Sequence, residues 1–147
     1  LTWDGEIVDT DARELSIVYR GSRIPDLGLV VKVTLELAEG DPERITAETE
    51  KFLERRKSEQ PYGMRSAGCV FKNPENAEPA GYLLDKAGLK GFRIGDAAYS
   101  EIHANFIVNV GNASYGDILK LIEIGKERVK EEFGVSLEEE IVVVQDD

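Results

Sequence analysis

The alternation of apolar and polar positions is strongest over residues 29–38, where Val31, Val33, Leu35 and Leu37 share one parity and Lys32, Thr34 and Glu36 the other. A strand sends successive side chains to opposite faces, so this segment predicts a half-buried β-strand. Residues 6–9, after the turn at Asp4-Gly5, and residues 16–19 predict two shorter strands. The period then lengthens. Asp41 suits a helix N-cap, Pro42 the first helical position, and Ile45, Phe52 and Leu53 give that helix a thin apolar stripe. Arg55-Arg56-Lys57 lies at its C-terminal end, where positive charge complements the helix dipole, and Pro61 and Gly63 end it.

Residues 62–79 are rich in Gly, Asn, Pro and Ser and predict mostly loop. Residues 79–87 predict a short helix with Tyr82, Leu83, Leu84 and Ala87 inward, closed by Gly88. Short strands are predicted at 92–94, 97–99 and 105–110. The best helical pattern runs from Tyr115 to Phe133, with Ser114 and Asp117 spaced as a capping box and Gly134 at its end. Its buried face is expected to carry Ile118, Leu121, Ile122, Val129 and Phe133. A last strand is predicted at 140–144. No internal repeat is visible, and the mixed order of elements implies an α+β fold rather than a doubly wound sheet.

Composition narrows the function. The chain has 147 residues, 41% of them hydrophobic, enough for one domain with a real core or for parts of two. A formal charge of -11 argues against nucleic acid as the main partner, since phosphate backbones call for a basic surface. It leaves anionic small molecules open, because one or two placed cations suffice for them. One cysteine, Cys69, excludes an internal disulfide, and with one histidine no metal site is expected. The sequence shows neither an apolar run of membrane-spanning length nor a signal peptide, so a cytoplasmic protein is expected. The chain opens at Leu1, within a strand-like pattern, which reads as a fragment, a processed product or a trimmed form.

Four segments place polar or reactive residues where the pattern does not require them. In Tyr19-Arg20-Gly21-Ser22, Arg20 would emerge at a strand end beside a glycine, suited to a bidentate grip on a carboxylate; a surface arginine at a turn is the plainer reading. In SAGCVFKNP at 66–74, small residues let a ligand approach the backbone, Cys69 can exchange a proton, and Asn73 can bind ligand oxygens. Free cysteine is more often a small buried hydrophobe. At 137–141, a strand would put Glu138 and Glu140 on one face and Glu139 on the other, so that one glutamate faces a pocket with a raised pKa; the plainer reading is a solvated acidic turn. His103, with Ser100 and Asn105 nearby, is by default a structural histidine. No Ser/His/Asp order recommends a hydrolase, and the dinucleotide glycine fingerprint is absent.

In this order the segments resemble the MurB family, the UDP-N-acetylenolpyruvoylglucosamine reductases of bacterial peptidoglycan synthesis. The matching strings are YRGS at 19–22, the QP pair at 60–61, SAGCVFKNP at 66–74, AGYLLDKAGLKG at 80–91, HANFIVN at 103–109 and FGVSLEEEI at 133–141. The resemblance implies NADPH- and FAD-dependent reduction of UDP-N-acetylglucosamine enolpyruvate to UDP-N-acetylmuramate. It carries the catalytic arginine onto Arg20 and the catalytic glutamate onto Glu140, both polarising the substrate carboxylate and steadying the enolate. The proton donor, usually serine, falls at Cys69. Asn73 and His103 match polar substrate contacts, Lys57 a diphosphate contact, and Tyr19 a residue near flavin or substrate. The resemblance also implies that an N-terminal stretch holding most of the FAD is missing. Residues 1–58 would then be the end of the flavin-binding domain and 59–147 the substrate-binding domain. A non-catalytic UDP-sugar-binding module is the alternative.

Overall fold

A computed structural model describes residues 1–144. They form two compact units, the first Leu1–Asp41 and the second beginning at Pro42.

In the first unit, Asp11 accepts a hydrogen bond from the Arg13 N–H at 2.9 Å and starts a short 3-10 turn, Ala12–Leu15. Helix α1 is a single turn, Ile24–Leu27, with Pro25 in its opening positions. None of the strands predicted at 6–9, 16–19 and 29–38 forms. Alternation records which face a strand would bury, but a strand also needs a partner for its backbone groups. Here the first unit supplies only isolated bridges, Thr2 with Gly28 and Val18 with Gly21. Residues 29–38 therefore form no ladder, and Val33 and Leu37 remain 67% and 81% exposed.

The second unit opens with helix α2, Pro42–Glu59, which buries none of its residues. The predicted apolar stripe is thus solvent-facing: Ile45, Phe52 and Leu53 are all exposed. Pairs one helical turn apart, Arg44 with Glu48 at 3.1 Å and Arg55 with Glu59 at 3.0 Å, line its surface.

Four antiparallel strands follow: β1 Arg65–Cys69, β2 Arg93–Ile94, β3 Ala97–Tyr99 and β4 Phe106–Asn109, in the spatial order β1-β4-β3-β2. Three of these lie within or on their predicted ranges. β1 corrects the prediction of loop over 62–79. Its run of small residues has no alternation, and it is a strand because β4 offers a partner. Helix α3, Ala80–Lys86, and helix α4, Tyr115–Phe133, complete the unit, α4 packing on α3, β2 and β3.

The core between these elements contains Phe71, Leu84, Leu89, Tyr99, Leu121 and Val129, each at most 1% exposed. The capping box of α4 is present in both directions: the Ser114 hydroxyl accepts from Asp117 N–H and the Asp117 carboxylate accepts from Ser114 N–H. Of the expected inward residues, Phe133 on α4 is 37% exposed and Tyr82 on α3 is 50% exposed. Phe133 lies in the last turn of α4, and Tyr82 lies on the face of α3 opposite the buried Ala80, Leu83 and Leu84. The Tyr99 hydroxyl, donating to the Leu121 carbonyl at 2.8 Å, is buried and its pKa is pushed upward by that burial.

The strand predicted at 140–144 is absent. The C-terminal segment pairs earlier instead, Lys72 N–H donating to Glu138 O at 2.9 Å and Glu140 N–H to Val70 O at 2.8 Å, around a bridge between Phe71 and Glu139. Val142 and Val144, within the predicted strand, are exposed.

Candidate functional site

The site begins with an irregularity in β1. The register against β4 shifts between Ser66 and Cys69, and within that bulge Gly68 has a φ of +94°, a conformation costly for any residue with a Cβ. The Ser66 hydroxyl accepts from Gly68 N–H at 3.2 Å. A bulge redirects the side chain that follows it, here Cys69, which is half-buried and opposite Phe106.

Beyond the bulge the chain is clamped by Asn105. This buried residue places its side-chain amide along the backbone of Phe71, Oδ1 accepting from Phe71 N–H at 2.9 Å and Nδ2 donating to Phe71 O at 2.8 Å. Its carbonyl also accepts from Val70 N–H at 2.8 Å. Three bonds thus fix the two residues after Cys69. Asn73 then turns the chain into α3, its Oδ1 accepting from Ala80 N–H at 3.1 Å.

Cys69, Asn73 and His103 border one cleft of about 320 Å³, together with Gly81, Tyr82 and Lys90. His103 Nδ1 accepts from Asn105 N–H at 3.1 Å, and the ring meets the Phe106 ring edge-on at 5.1 Å between centroids. Burial, and then the nearby Lys90 ammonium, hold the His103 pKa below its ordinary value, so the ring is neutral near pH 7. Lys90 pairs with Asp85 at 3.0 Å, and both border the cleft. Neutral polar groups beside a Lys90–Asp85 ion pair suit a hydrogen-bonding ligand.

The sequence singles out neither Gly81 nor Lys90, and it marks Tyr82 only as an expected inward residue of α3, whereas all three border the cleft. Their signal was the AGYLLDKAGLKG string at 80–91, which carried part of the resemblance without a residue-level role.

The acidic segment sorts its three glutamates. Glu138 forms an ion pair with Lys72, and Glu139 one with Lys126 at 2.6 Å. The hydrogen bond from Lys126 lowers the Glu139 pKa. Glu140 is half-buried, and its backbone bond to Val70 ties it one residue along the chain from Cys69.

Tyr19 and Arg20 belong to the first unit. They occupy the tip of a tight turn in which Val18 and Gly21 exchange backbone bonds at 2.9 and 3.2 Å. Arg20 has a φ of 54°, uncommon for a non-glycine residue, and its guanidinium carbon lies 5.4 Å from the Tyr19 ring centre. The expected position at a strand end is therefore replaced by a turn tip. Lys57 lies on α2, pairs with Glu54 at 3.3 Å and is not among the residues bordering the cleft. Among the described residues no three His, Cys, Asp or Glu side chains gather as a metal site, and no helix is long and apolar enough to cross a membrane.

Residues 60–144 match the model of the family described as UDP-N-acetylenolpyruvoylglucosamine reductase, C-terminal domain. The UDP-N-acetylenolpyruvoylglucosamine reductase of Aquifex aeolicus is 45% identical over 143 residues, covering 97% of this chain and 48% of that protein. The protein of the same name from Desulfosudis oleivorans is 43% identical, covering 98% of this chain and 48% of its own length. Among solved structures, UDP-N-acetylenolpyruvylglucosamine reductase (MurB) from Thermus caldophilus superposes with a TM-score of 0.72 at 44% identity, covering 87% of this chain and 45% of that one. The chain thus spans about half the length of the curated relatives it matches. With the family model matching most of the second unit and near-half identity running through both units, this chain belongs to the MurB family of UDP-N-acetylenolpyruvoylglucosamine reductases, as a form of its C-terminal half.

Proposed function

We propose that this chain supplies the substrate-binding and proton-donating residues of a cytoplasmic reductase that converts UDP-N-acetylglucosamine enolpyruvate to UDP-N-acetylmuramate for peptidoglycan synthesis. The observation that carries the reading is the convergence of Cys69, Asn73 and His103 on one cleft, with Glu140 tied to Val70 beside it. The names of the relatives support the same substrate class.

Each residue then has a chemical task. Reduction beside a carboxylate builds negative charge on that group, which Arg20 and Glu140 are proposed to polarise and steady. Cys69 is proposed to donate the proton to the adjacent carbon, its thiol becoming a thiolate that must be reprotonated between turnovers. A thiol is more acidic than the serine usual at this position and more open to oxidation. Asn73 and His103 are proposed to bind the UDP-sugar, with Lys57 toward its diphosphate and Tyr19 toward flavin or substrate. The boundary between the flavin-binding remnant and the substrate-binding domain is proposed near Ser58, at the end of α2 and beyond the division at Asp41 between the two compact units.

FAD, reduced by NADPH, supplies the hydride in this reaction. Among the described residues, the cleft bordered by Cys69, Asn73 and His103, about 320 Å³, lies at the small end of ligand pockets and is well short of a dinucleotide. Most of the flavin site is therefore assigned to sequence outside this chain. Because the cleft lies wholly within the second unit, a UDP-sugar-binding module without redox activity is the alternative reading.

The test uses the full-length protein. Arg20→Ala and Glu140→Ala are expected to lower turnover by about a hundredfold or more while leaving the folded fraction unchanged. Full activity in both variants would remove the assigned roles. Tight binding of the UDP-sugar by this chain alone, with no flavin activity in the full-length protein, would favour the binding module.

A further inference from the structure

We infer that Gly81 is a positioning residue for ligand recognition: lacking a Cβ, it lets the His103 imidazole lie against the first turn of α3 in the tautomer that presents Nε2–H as its donor. The inference deepens the proposed function and rests on His103 being a contact of the UDP-sugar.

Two contacts set the ring. A Cβ placed on Gly81 would sit 2.6 Å from His103 Cε1 and 3.3 Å from Nδ1, closer than such atoms approach without displacement. The ring cannot easily move aside, because Asn105 N–H donates to Nδ1 at 3.1 Å and Phe106 packs against it edge-on. The backbone that carries it is also held, Ser100 Oγ accepting from Ile102 N–H at 3.1 Å and from His103 N–H at 3.4 Å. Gly81 has no positive φ that would call for glycine on backbone grounds. Near the start of a helix, glycine costs stability relative to alanine, so the close approach of the imidazole is what its absent side chain provides.

The Asn105 bond decides the tautomer. An Nδ1 that accepts a hydrogen bond carries no proton, so the neutral ring holds its proton on Nε2. His103 borders the cleft with Lys90 and Asn73, and a fixed Nε2–H there recognises an acceptor, such as a phosphate or a carbonyl oxygen of the UDP-sugar. Binding then requires no proton exchange at His103, which separates its task from the one proposed for Cys69.

A double-mutant cycle on the full-length protein tests this, with UDP-N-acetylglucosamine enolpyruvate as the varied substrate. Gly81→Ala and His103→Ala are each expected to raise KM about tenfold, the loss falling on KM rather than kcat. The double variant is expected to match His103→Ala, because the three nearest neighbours of the added methyl all belong to the imidazole that is then absent. If Gly81→Ala alone does not fold, the double variant should regain the fold, and its KM is compared with that of His103→Ala. Additive losses would overturn the role of Gly81 while leaving that of His103 intact. An unchanged KM in His103→Ala would remove the substrate contact itself, and this inference with it. Nitrogen NMR of the chain's single histidine gives an independent readout: an Nδ1-protonated neutral ring would overturn the tautomer.

Discussion

His103 is the chain's single histidine, so its titration can be followed without interference from another imidazole. Burial and then Lys90 lower its folded pKa, opposed more weakly by a hydrogen bond to its own backbone and by Glu59. In the unfolded chain a histidine takes up its proton near about pH 6.5. Above that pH both states are neutral and the folded state keeps its full advantage. As pH falls from about 6.5 toward the lowered folded value, the unfolded state binds the proton first and stability declines. Urea unfolding is expected to show a level plateau near about pH 7–8 and a decline that sets in as pH falls below about 6.5, absent in His103→Gln. Asp96, Asp117 and Glu139 also have lowered pKa values, but their losses set in only as pH approaches the ordinary carboxylate range, below the onset of the histidine decline. An undiminished decline in the variant would assign it to another group. At this scale the sequence singled out Cys69, Asn73 and His103 by side chains that can exchange protons or hydrogen bonds, and the structure brings the three to one cleft. Gly81 was not legible, because a glycine shows what it lacks only once its neighbour is known.

Elements were legible when their signals were local. The ends and cap of α4 follow from Ser114, Asp117 and Gly134, all within or beside the helix, and the structure reproduces them. β1 was illegible because what makes it a strand lies some forty residues away: Arg65 pairs with Asn109 and Cys69 with Phe106. The strand predicted at 140–144 failed for a related reason, since pairing with Val70 and Lys72 takes place at Glu138 and Glu140 instead. The same contrast gives a test of what holds the site. Ser114→Ala removes one cap bond at an exposed helix end and is expected to cost about 1 kcal/mol. Asn105→Ala leaves a buried N–H and a buried C=O of Phe71 without the partners they have now, and is expected to cost about 2–4 kcal/mol. Urea unfolding of the two variants measures both. A loss for Asn105→Ala no larger than that for Ser114→Ala would mean that its amide is not the clamp on the segment carrying Cys69 and Asn73.

At the scale of the molecule, the two units differ in what they bury. The second has a continuous apolar core, whereas in residues 1–41 only Gly28 is buried. Hydrophobic burial is the dominant favourable term in folding, and a segment without it has little to set against its conformational entropy. In this chain alone, the amides of residues 29–38 are therefore expected to exchange with solvent within seconds to minutes, while those of β3 and β4 exchange as slowly as global unfolding permits. The alternation of Val31, Val33, Leu35 and Leu37 is the mark of a face built to be covered, and the proposed full-length reductase gives it a second expectation. There, the same amides should gain protection by about a hundredfold or more, as a strand paired and buried on one face does. Hydrogen exchange read by mass spectrometry on both forms makes the comparison. Fast exchange at 29–38 in both would mean that these residues are not a strand of a larger domain. Protection already present in this chain alone would mean that the first unit finds a partner for that face without any further sequence.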